Sequence, residues 1–214
     1  MDHGCRDAAM ASAQLALAAS AGVDVLVATP HFYPHRHRAD SFARHRRFAA
    51  EELACVRAEG QPRVLCGAEV LVSPGLDRME GLSALCVEGT RVLLLELPFN
   101  GLNEDIWQTV CRIRDLGFHP LLAHIDRYDR AAALRALELG LDVQLNAAAL
   151  SSPLGRNRRL RRWEGLHVCA LGSDIHGADG RAYRAFSRAC HALGPDSAAV
   201  MDRAEHLLTL SPIQ

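Results

Sequence analysis

Residues 91–124 read RVLLLELPFNGLNEDIWQTVCRIRDLGFHPLLAH, and this stretch contains one complete strand–helix–strand unit. Segments 91–95 and 120–123 are continuous apolar runs of strand length. Segment 103–116 between them starts with Asn or Glu as a cap and is followed by Gly117, which predicts a helix. Apolar runs without alternation are typical of strands buried on both faces, and strand–helix alternation predicts a parallel sheet.

The same alternation continues in both directions along the 214-residue chain. It predicts an α/β protein with six strands, arranged as a barrel or as an open doubly wound sheet. A dinucleotide-binding fold is disfavoured because no glycine-rich turn follows the first strand. The length suits one domain spanning 1–214. The further predicted strands are 24–28, 63–66, 142–145 and 167–171, and the further helices are 7–21, 40–58, 129–139, 153–163, 180–193 and 196–209.

Composition excludes several classes of function. The net charge of −1 gives no bulk attraction to nucleic acid or to a membrane surface. All 24 basic residues are Arg, which excludes a P-loop lysine and a Schiff-base mechanism. Neither a secretory signal pattern nor an apolar run approaching 18 residues is present, so we expect a cytoplasmic protein without membrane insertion.

The seven cysteines indicate a reduced protein that does not use cysteine chemistry. They include no Cys-x-x-Cys pair, and their odd number and wide spacing disfavour a disulfide framework. Cys66 and Cys169 lie within apolar runs and are interpreted as small core residues. None of the seven is followed six positions later by Arg, the spacing that cysteine-based tyrosine phosphatases need, and Gly-x-Ser-x-Gly is also absent.

Potential metal ligands follow five of the six predicted strands. A lone histidine at such a place is more often a hydrogen-bonded residue, and a lone glutamate is usually solvated. The whole group is stronger evidence for a metal site than any one member, because the C-terminal ends of parallel barrel strands meet on one face. Imidazoles and carboxylates together are a ligand set for Zn, Mn or Fe. The residues concerned are His31, Glu69, Glu96, His124, Asp174 and His176.

Two polar segments remain open to more than one interpretation. Residues 31–38 are rich in histidine and predict a polar active-site loop, with a second metal site or a plain solvated loop as alternatives. The basic run at 156–162 could attract an acidic phosphopeptide, but a solvated helix face is the preferred interpretation.

Several motifs together resemble the capsule and exopolysaccharide tyrosine phosphatases of the PHP superfamily (the CpsB/YwqE type). The resemblance implies an irregular (β/α)7 barrel that holds a cluster of divalent metals, with Mn preferred over Fe or Zn, and that hydrolyses phosphotyrosine on proteins. It also implies that the six residues above are metal ligands and that Arg127 binds the phosphate. The motifs are Val27-Ala-Thr-Pro-His31, Gly67-Ala-Glu-Val70, Leu94-Leu-Glu-Leu-Pro-Phe-Asn100, Leu122-Ala-His-Ile-Asp-Arg-Tyr128, Gln144-Leu-Asn-Ala147 and Ser173-Asp-Ile-His176.

The sequence departs from this family pattern at two places. The family's His-Pro-Glu-Arg-Tyr is His124-Ile-Asp-Arg-Tyr128 here, which keeps the histidine and the arginine. The family opens with a strand carrying Asp-x-His-x-His, whereas Met1-Asp-His-Gly4 aligns with a later step. We therefore expect a barrel without its first strand and without that pair of histidine ligands.

These features lead to three functional hypotheses. The first is a metal-dependent phosphatase acting on a phosphorylated bacterial tyrosine kinase of a polysaccharide locus, either alone or as a homo-oligomer. The second is a PHP phosphoesterase of histidinol-phosphate type that acts on a small molecule. The third is a degenerate barrel that binds the kinase without catalysis, which the absent histidine pair would favour.

Overall fold

The structure, a computed structural model, describes residues 5–151, 165–177, 179–193 and 195–213. These residues form parallel strands and surrounding helices in the α/β arrangement that the sequence predicts. The strands are β1 (Val25–Ala28), β2 (His31–Phe32), β3 (Arg63–Cys66), β4 (Glu69–Leu71), β5 (Val92–Glu96), β6 (His119–Leu122), β7 (Asp142–Asn146) and β8 (His167–Gly172). The α-helices are α1 (Ala8–Ser20), α2 (Ala39–Val56), α3 (Glu104–Asp115), α4 (Arg130–Glu138), α5 (Ala147–Ser151), α6 (Gly180–Leu193) and α7 (Pro195–Leu207).

The strands form two parallel sheets, and β1 and β3 of the smaller sheet continue beyond a bend as β2 and β4 of the larger one. The larger sheet has the order β2-β4-β5-β6-β7-β8, and β1 pairs with β3 in a two-stranded sheet. The two sheets are continuous, because the Gly67 N–H donates to the Ala28 carbonyl and the Glu69 N–H to the Pro30 carbonyl. Thr29-Pro30 and Gly67-Ala68 therefore bend two long strands, whereas the sequence predicted that the first strand would end at residue 28.

Burial differs from the prediction at β1. The continuous apolar run was expected to be buried on both faces, but the β1 residues are exposed or only half-buried. The physical reason is position: among the described strands, β1 has a single neighbour, β3. By contrast β5, which lies between β4 and β6, is buried along its whole length, as predicted.

Alternate residues of β5 enter two different apolar cores. Leu93 and Leu95 pack in the larger core, together with the helices. Val92 and Leu94 point the other way, into a smaller core that also contains Cys169. Because strand side chains alternate, Glu96 follows Val92 and Leu94 on that inner side. This alternation places a carboxylate at the inner end of the central strand.

Helix boundaries agree with the cap signals in the sequence. The side chains of Asp7, Asn103 and Asp129 each accept a hydrogen bond from a backbone N–H in the first turn of α1, α3 and α4. The helix predicted over 153–163, with its basic run, lies outside the described residues. None of the helices in the described part of the chain is both long and apolar enough to cross a membrane.

Candidate active site

Four of the predicted site residues lie at one end of the larger sheet. His31 begins β2 and is the register partner of Glu69, which begins β4. Glu96 ends β5 and is the register partner of a β4 residue. His124 lies two residues beyond the end of β6. The structure thus brings together side chains that are 93 positions apart in the sequence, from 31 to 124.

These four side chains form a compact buried cluster. One ligand atom from each of His31, Glu69 and Glu96 lies within 4.8 Å of the other two. The His124 Nε2 atom is 2.8 Å from Glu69 Oε1 and 3.7 Å from Glu96 Oε1. Glu69, Glu96 and His124 are only 8%, 7% and 2% exposed. Charged groups buried to this degree need partners or a metal ion.

Burial and mutual charge shift the pKa of two groups in the cluster. Burial raises the pKa of Glu96, and the neighbouring Glu69 carboxylate raises it further. Burial lowers the pKa of His124, but the hydrogen bond and negative charge of Glu69 outweigh burial, so that the pKa of His124 is raised overall. Two carboxylates that crowd each other in this way favour an added positive charge between them.

The backbone at His124 is held in an unusual conformation. Its φ of 32° and ψ of 53° lie in the left-handed region, which non-glycine residues seldom adopt and which often marks functional sites. Its N–H donates to Gln144 Oε1 at 3.1 Å, from the adjacent strand β7. Its ring Nδ1 is buried and has no hydrogen-bond partner among the described residues. The other ring nitrogen, Nε2, faces Glu69 and Glu96 and is therefore the candidate metal-ligating atom.

The remaining predicted residues adjoin this cluster. Arg127 Nη1 lies 3.4 Å from Asp174 Oδ2, which also accepts from Asn146 Nδ2 at 3.5 Å. His176 packs edge-on against His31, with ring centroids 5.7 Å apart. Asp174 itself has a positive φ of 48°. All seven predicted site residues therefore lie in one connected group.

Aromatic rings form a wall beside Arg127. The Arg127 guanidinium carbon lies 4.8 Å from the centroid of the Phe99 ring, which fits a cation–π contact. Phe99 stacks on Tyr128, with centroids 5.1 Å apart and planes 8° apart. The Tyr128 hydroxyl donates to the Leu97 carbonyl. Phe99 is nevertheless 53% exposed, so part of this apolar ring beside the arginine is open to solvent.

The cluster is chemically suited to divalent metal. It combines imidazoles with carboxylates, the usual ligands for Mn, Zn and Fe, and the His124 Nε2 atom faces both carboxylates. A positive ion would also relieve the repulsion that raises the pKa of Glu96. The residues present therefore fit a divalent metal site.

Three neighbours of the site received no role from sequence reasoning. Gln144 fixes the His124 backbone, Asn146 contacts Asp174, and Phe99 supports Arg127. A signal for Asn146 existed, because it directly follows the predicted strand 142–145, as the ligand candidates follow other predicted strands. The Gln144 and Phe99 contacts depend on side-chain geometry and left no comparable signal.

The histidine-rich segment is partly used for its own structure. His37 Nδ1 lies 3.0 Å from the Tyr33 backbone nitrogen, which donates to it. Tyr33 in turn packs edge-on against His31, with centroids 5.7 Å apart. This segment therefore borders the candidate site through Tyr33, while His37 closes a local turn.

Comparisons with known proteins identify a family and a shared fold. The family model of the CpsB/CapC proteins of capsular polysaccharide synthesis matches residues 1–192. A solved structure from work on YwqE of Bacillus subtilis and CpsB of Streptococcus pneumoniae, described as unique metal-dependent tyrosine phosphatases, superposes with a TM-score of 0.81 at 19% identity. That match covers 100% of this chain and 95% of the other, and it shows a shared fold. The extent of the family match shows that this chain belongs to the CpsB/CapC family of capsular polysaccharide synthesis.

Proposed function

We propose that this chain hydrolyses phosphotyrosine on protein, in a metal-dependent reaction that serves capsule synthesis. The observation that carries the proposal is the buried imidazole–carboxylate cluster with Arg127 at its rim. Membership of the CpsB/CapC family supports the role in capsule synthesis. The fold shared with structures described as metal-dependent tyrosine phosphatases supports the reaction type.

The proposed ligands are the six residues predicted from the strand ends. His31, Glu69, Glu96 and His124 hold the buried side of the site, and Asp174 and His176 close it from the loop after β8. Manganese suits this set because three of the six ligands are carboxylates and none is a thiolate, the ligand that most favours zinc. When bound, divalent ions supply Lewis acidity toward water and toward phosphate oxygens.

Arg127 is the proposed phosphate-binding residue. Its guanidinium lies at the rim of the cluster, paired with Asp174 at 3.4 Å and supported by the Phe99 ring. If Asp174 turns toward a metal, this guanidinium becomes available for two parallel hydrogen bonds to a phosphate. The exposed ring of Phe99 offers an apolar surface to the substrate's tyrosine ring.

The proposed substrate protein is a phosphorylated bacterial tyrosine kinase of the capsule locus. Phosphotyrosine extends farther from its backbone than phosphoserine, so it suits ligands that lie behind a rim of Phe99 and Arg127. A reducing cytoplasm is the proposed compartment, which agrees with seven free cysteines.

The deciding experiment compares substrates and variants in the presence of manganese. The chain should hydrolyse a phosphotyrosine peptide faster than the matching phosphoserine peptide and faster than histidinol phosphate. Arg127→Ala should lower kcat/KM by about 10²-fold, since it removes a charge-assisted bidentate contact. Arg127→Lys should recover only part of that loss, because an ammonium group lacks the planar fork. Metal content should not change in either variant.

His124→Ala is the contrasting variant. It should lower both bound metal and turnover, because it removes a proposed ligand from the buried cluster. Faster hydrolysis of histidinol phosphate would instead identify a small-molecule phosphoesterase. Absence of hydrolysis by a folded, metal-loaded chain that still binds the phosphorylated kinase would identify a non-catalytic binding protein.

A further inference from the structure

A second group of potential ligands lies at the opposite end of the larger sheet. Three neighbouring parallel strands begin with a polar residue: β6 with His119, β7 with Asp142 and β8 with His167. Asp142 and His167 are direct register partners. Asp142 and Asn146 are the first and last residues of β7, and Asn146 adjoins the candidate active site. The two residues are therefore roughly 13 Å apart along the strand, at about 3.3 Å per residue.

Cys169 joins this group through an irregularity in β8. Val143 pairs with Val168, but Gln144 pairs with Ala170, so that Cys169 is an extra residue in the ladder. Such a bulge changes the direction of a side chain. The Cys169 sulfur lies 3.3 Å from His167 Nδ1. The strand is therefore bent where a thiol meets an imidazole.

One atom each from Asp142, His167 and Cys169 lies within 4.8 Å of the other two. Ligands of a tetrahedral zinc ion lie about 3.3–3.8 Å apart, given zinc–ligand bonds of about 2.0–2.3 Å. The sulfur–nitrogen separation already falls in that range, and Asp142 Oδ1 contacts His167 Nδ1 directly. Small side-chain movements would bring all three atoms to ligand distance.

We propose that Asp142, His167 and Cys169 form a second, zinc-type cation site, separate from the candidate active site. A thiolate and an imidazole favour zinc over manganese, which prefers oxygen ligands. The carboxylate and the thiolate together balance the charge of a divalent ion. The fourth position is open to water or to a further side chain.

His119 acts as a positioning residue for this site. Its Nε2 lies 2.6 Å from Asp142 Oδ2, the carboxylate oxygen that does not face His167. A hydrogen bond on the second oxygen fixes a carboxylate ligand in one orientation. Arg203 approaches the Cys169 sulfur, and its Nε donates to the Val168 carbonyl at 2.7 Å. This contact places one positive charge beside the thiol without supplying a ligand.

Burial gives the site both a closed side and an entrance. Cys169 is 2% exposed and packs in the smaller core with Leu207 of α7. The His167 side chain is 60% exposed, so an ion can enter from solvent past this imidazole. Bound zinc would then tie the start of β8, which α7 covers, to the start of β7.

The test uses cobalt(II) as a probe, because a thiolate ligand gives cobalt a charge-transfer absorption that oxygen and nitrogen ligands do not. The metal-free full chain should show this absorption after one equivalent of cobalt is bound at the site. Cys169→Ala should abolish it, whereas Cys86→Ala, at another buried cysteine, should retain it. Zinc bound per chain should fall by one in the Cys169 variant.

His167→Ala provides a variant whose folding is not in question, since the side chain is largely exposed. It should lower zinc affinity by at least 10-fold, and His119→Ala should lower it about 10–100-fold. Manganese-dependent hydrolysis should not change in either variant. No thiolate absorption in the wild-type chain, or a zinc content unaffected by His167→Ala, would show that the group is only a hydrogen-bonded network. The cobalt absorption and the zinc content do not depend on the proposed phosphatase activity.

Discussion

Gly172→Ala is expected to disturb the candidate active site by displacing Gln144, whose side chain accepts the His124 backbone N–H. A Cβ atom at position 172 would lie 2.6 Å from Gln144 Nε2 and 2.8 Å from Gln144 Cδ. Side-chain atoms cannot remain this close, so the Gln144 side chain must leave its place. Its Oε1 then no longer accepts the backbone N–H of His124, which is held at 3.1 Å in the left-handed region.

The magnitude follows from these contacts. Leaving the His124 N–H without an acceptor costs about 1–3 kcal/mol, and displacing a packed side chain costs about 1–3 kcal/mol more. Replacing glycine returns about 0.4–1 kcal/mol by restricting the unfolded chain. Gly172→Ala should therefore lower the free energy of unfolding by about 1–6 kcal/mol. Gly180→Ala is a matched control, because its Cβ would meet only the flexible end of Arg184 at 3.2 Å and Leu17 at 3.5 Å.

A double-mutant cycle identifies the cause. Gln144→Ala alone should cost about 1–3 kcal/mol by leaving the same N–H unsatisfied. The double variant, with both Gly172→Ala and Gln144→Ala, should unfold no more easily than Gln144→Ala alone, because the clash has no partner left. Denaturant unfolding of the four proteins measures the coupling. Additive losses would refute the argument that Gly172 makes room for Gln144.

Three further predictions concern the core and the metal. Thr90→Val should lower the free energy of unfolding by about 1–3 kcal/mol, because the buried hydroxyl donates to the Val87 carbonyl at 2.8 Å and accepts the Val92 N–H at 3.0 Å. Urea denaturation measures this loss, and an unchanged midpoint would contradict the prediction. Leu95→Ala, in the fully buried centre of β5, should cost about 2–5 kcal/mol, whereas Leu116→Ala on the surface should be nearly neutral by the same assay. Chelation of divalent metal should lower the thermal midpoint and abolish hydrolysis, and added manganese should restore both; an unchanged midpoint would show that bound metal contributes nothing to stability.

The sequence located the candidate active site through residues that follow predicted strands. Parallel strands end on one face, which holds for Glu96 and His124. His31 and Glu69 follow β1 and β3 as predicted, but in the structure they begin β2 and β4, which continue those strands beyond the bends. The apolar runs and the cap residues were equally informative for the central strand and the helices. These features rest on local chemistry, which a single sequence displays directly.

Other features depend on contacts that no local pattern encodes. The bend at Thr29-Pro30 continues a strand rather than ending it, because its backbone groups find partners across the sheet at Gly67 and Glu69. The bulge at Cys169 depends on the register between β7 and β8. An apolar setting suggested a plain core residue for Cys169, and only the register shift places its sulfur beside His167.

The candidate active site also connects the two edges of the larger sheet. Among the described strands, β2 and β8 lie at opposite ends of that sheet and share no backbone hydrogen bonds. Yet the rings of His31, on β2, and His176, after β8, lie 5.7 Å apart. Ions bound by His31 on one side and by Asp174 and His176 on the other would join these edges through side chains. Metal binding would therefore stabilise the fold, because ligands from both edges of the sheet are ordered by the same ions.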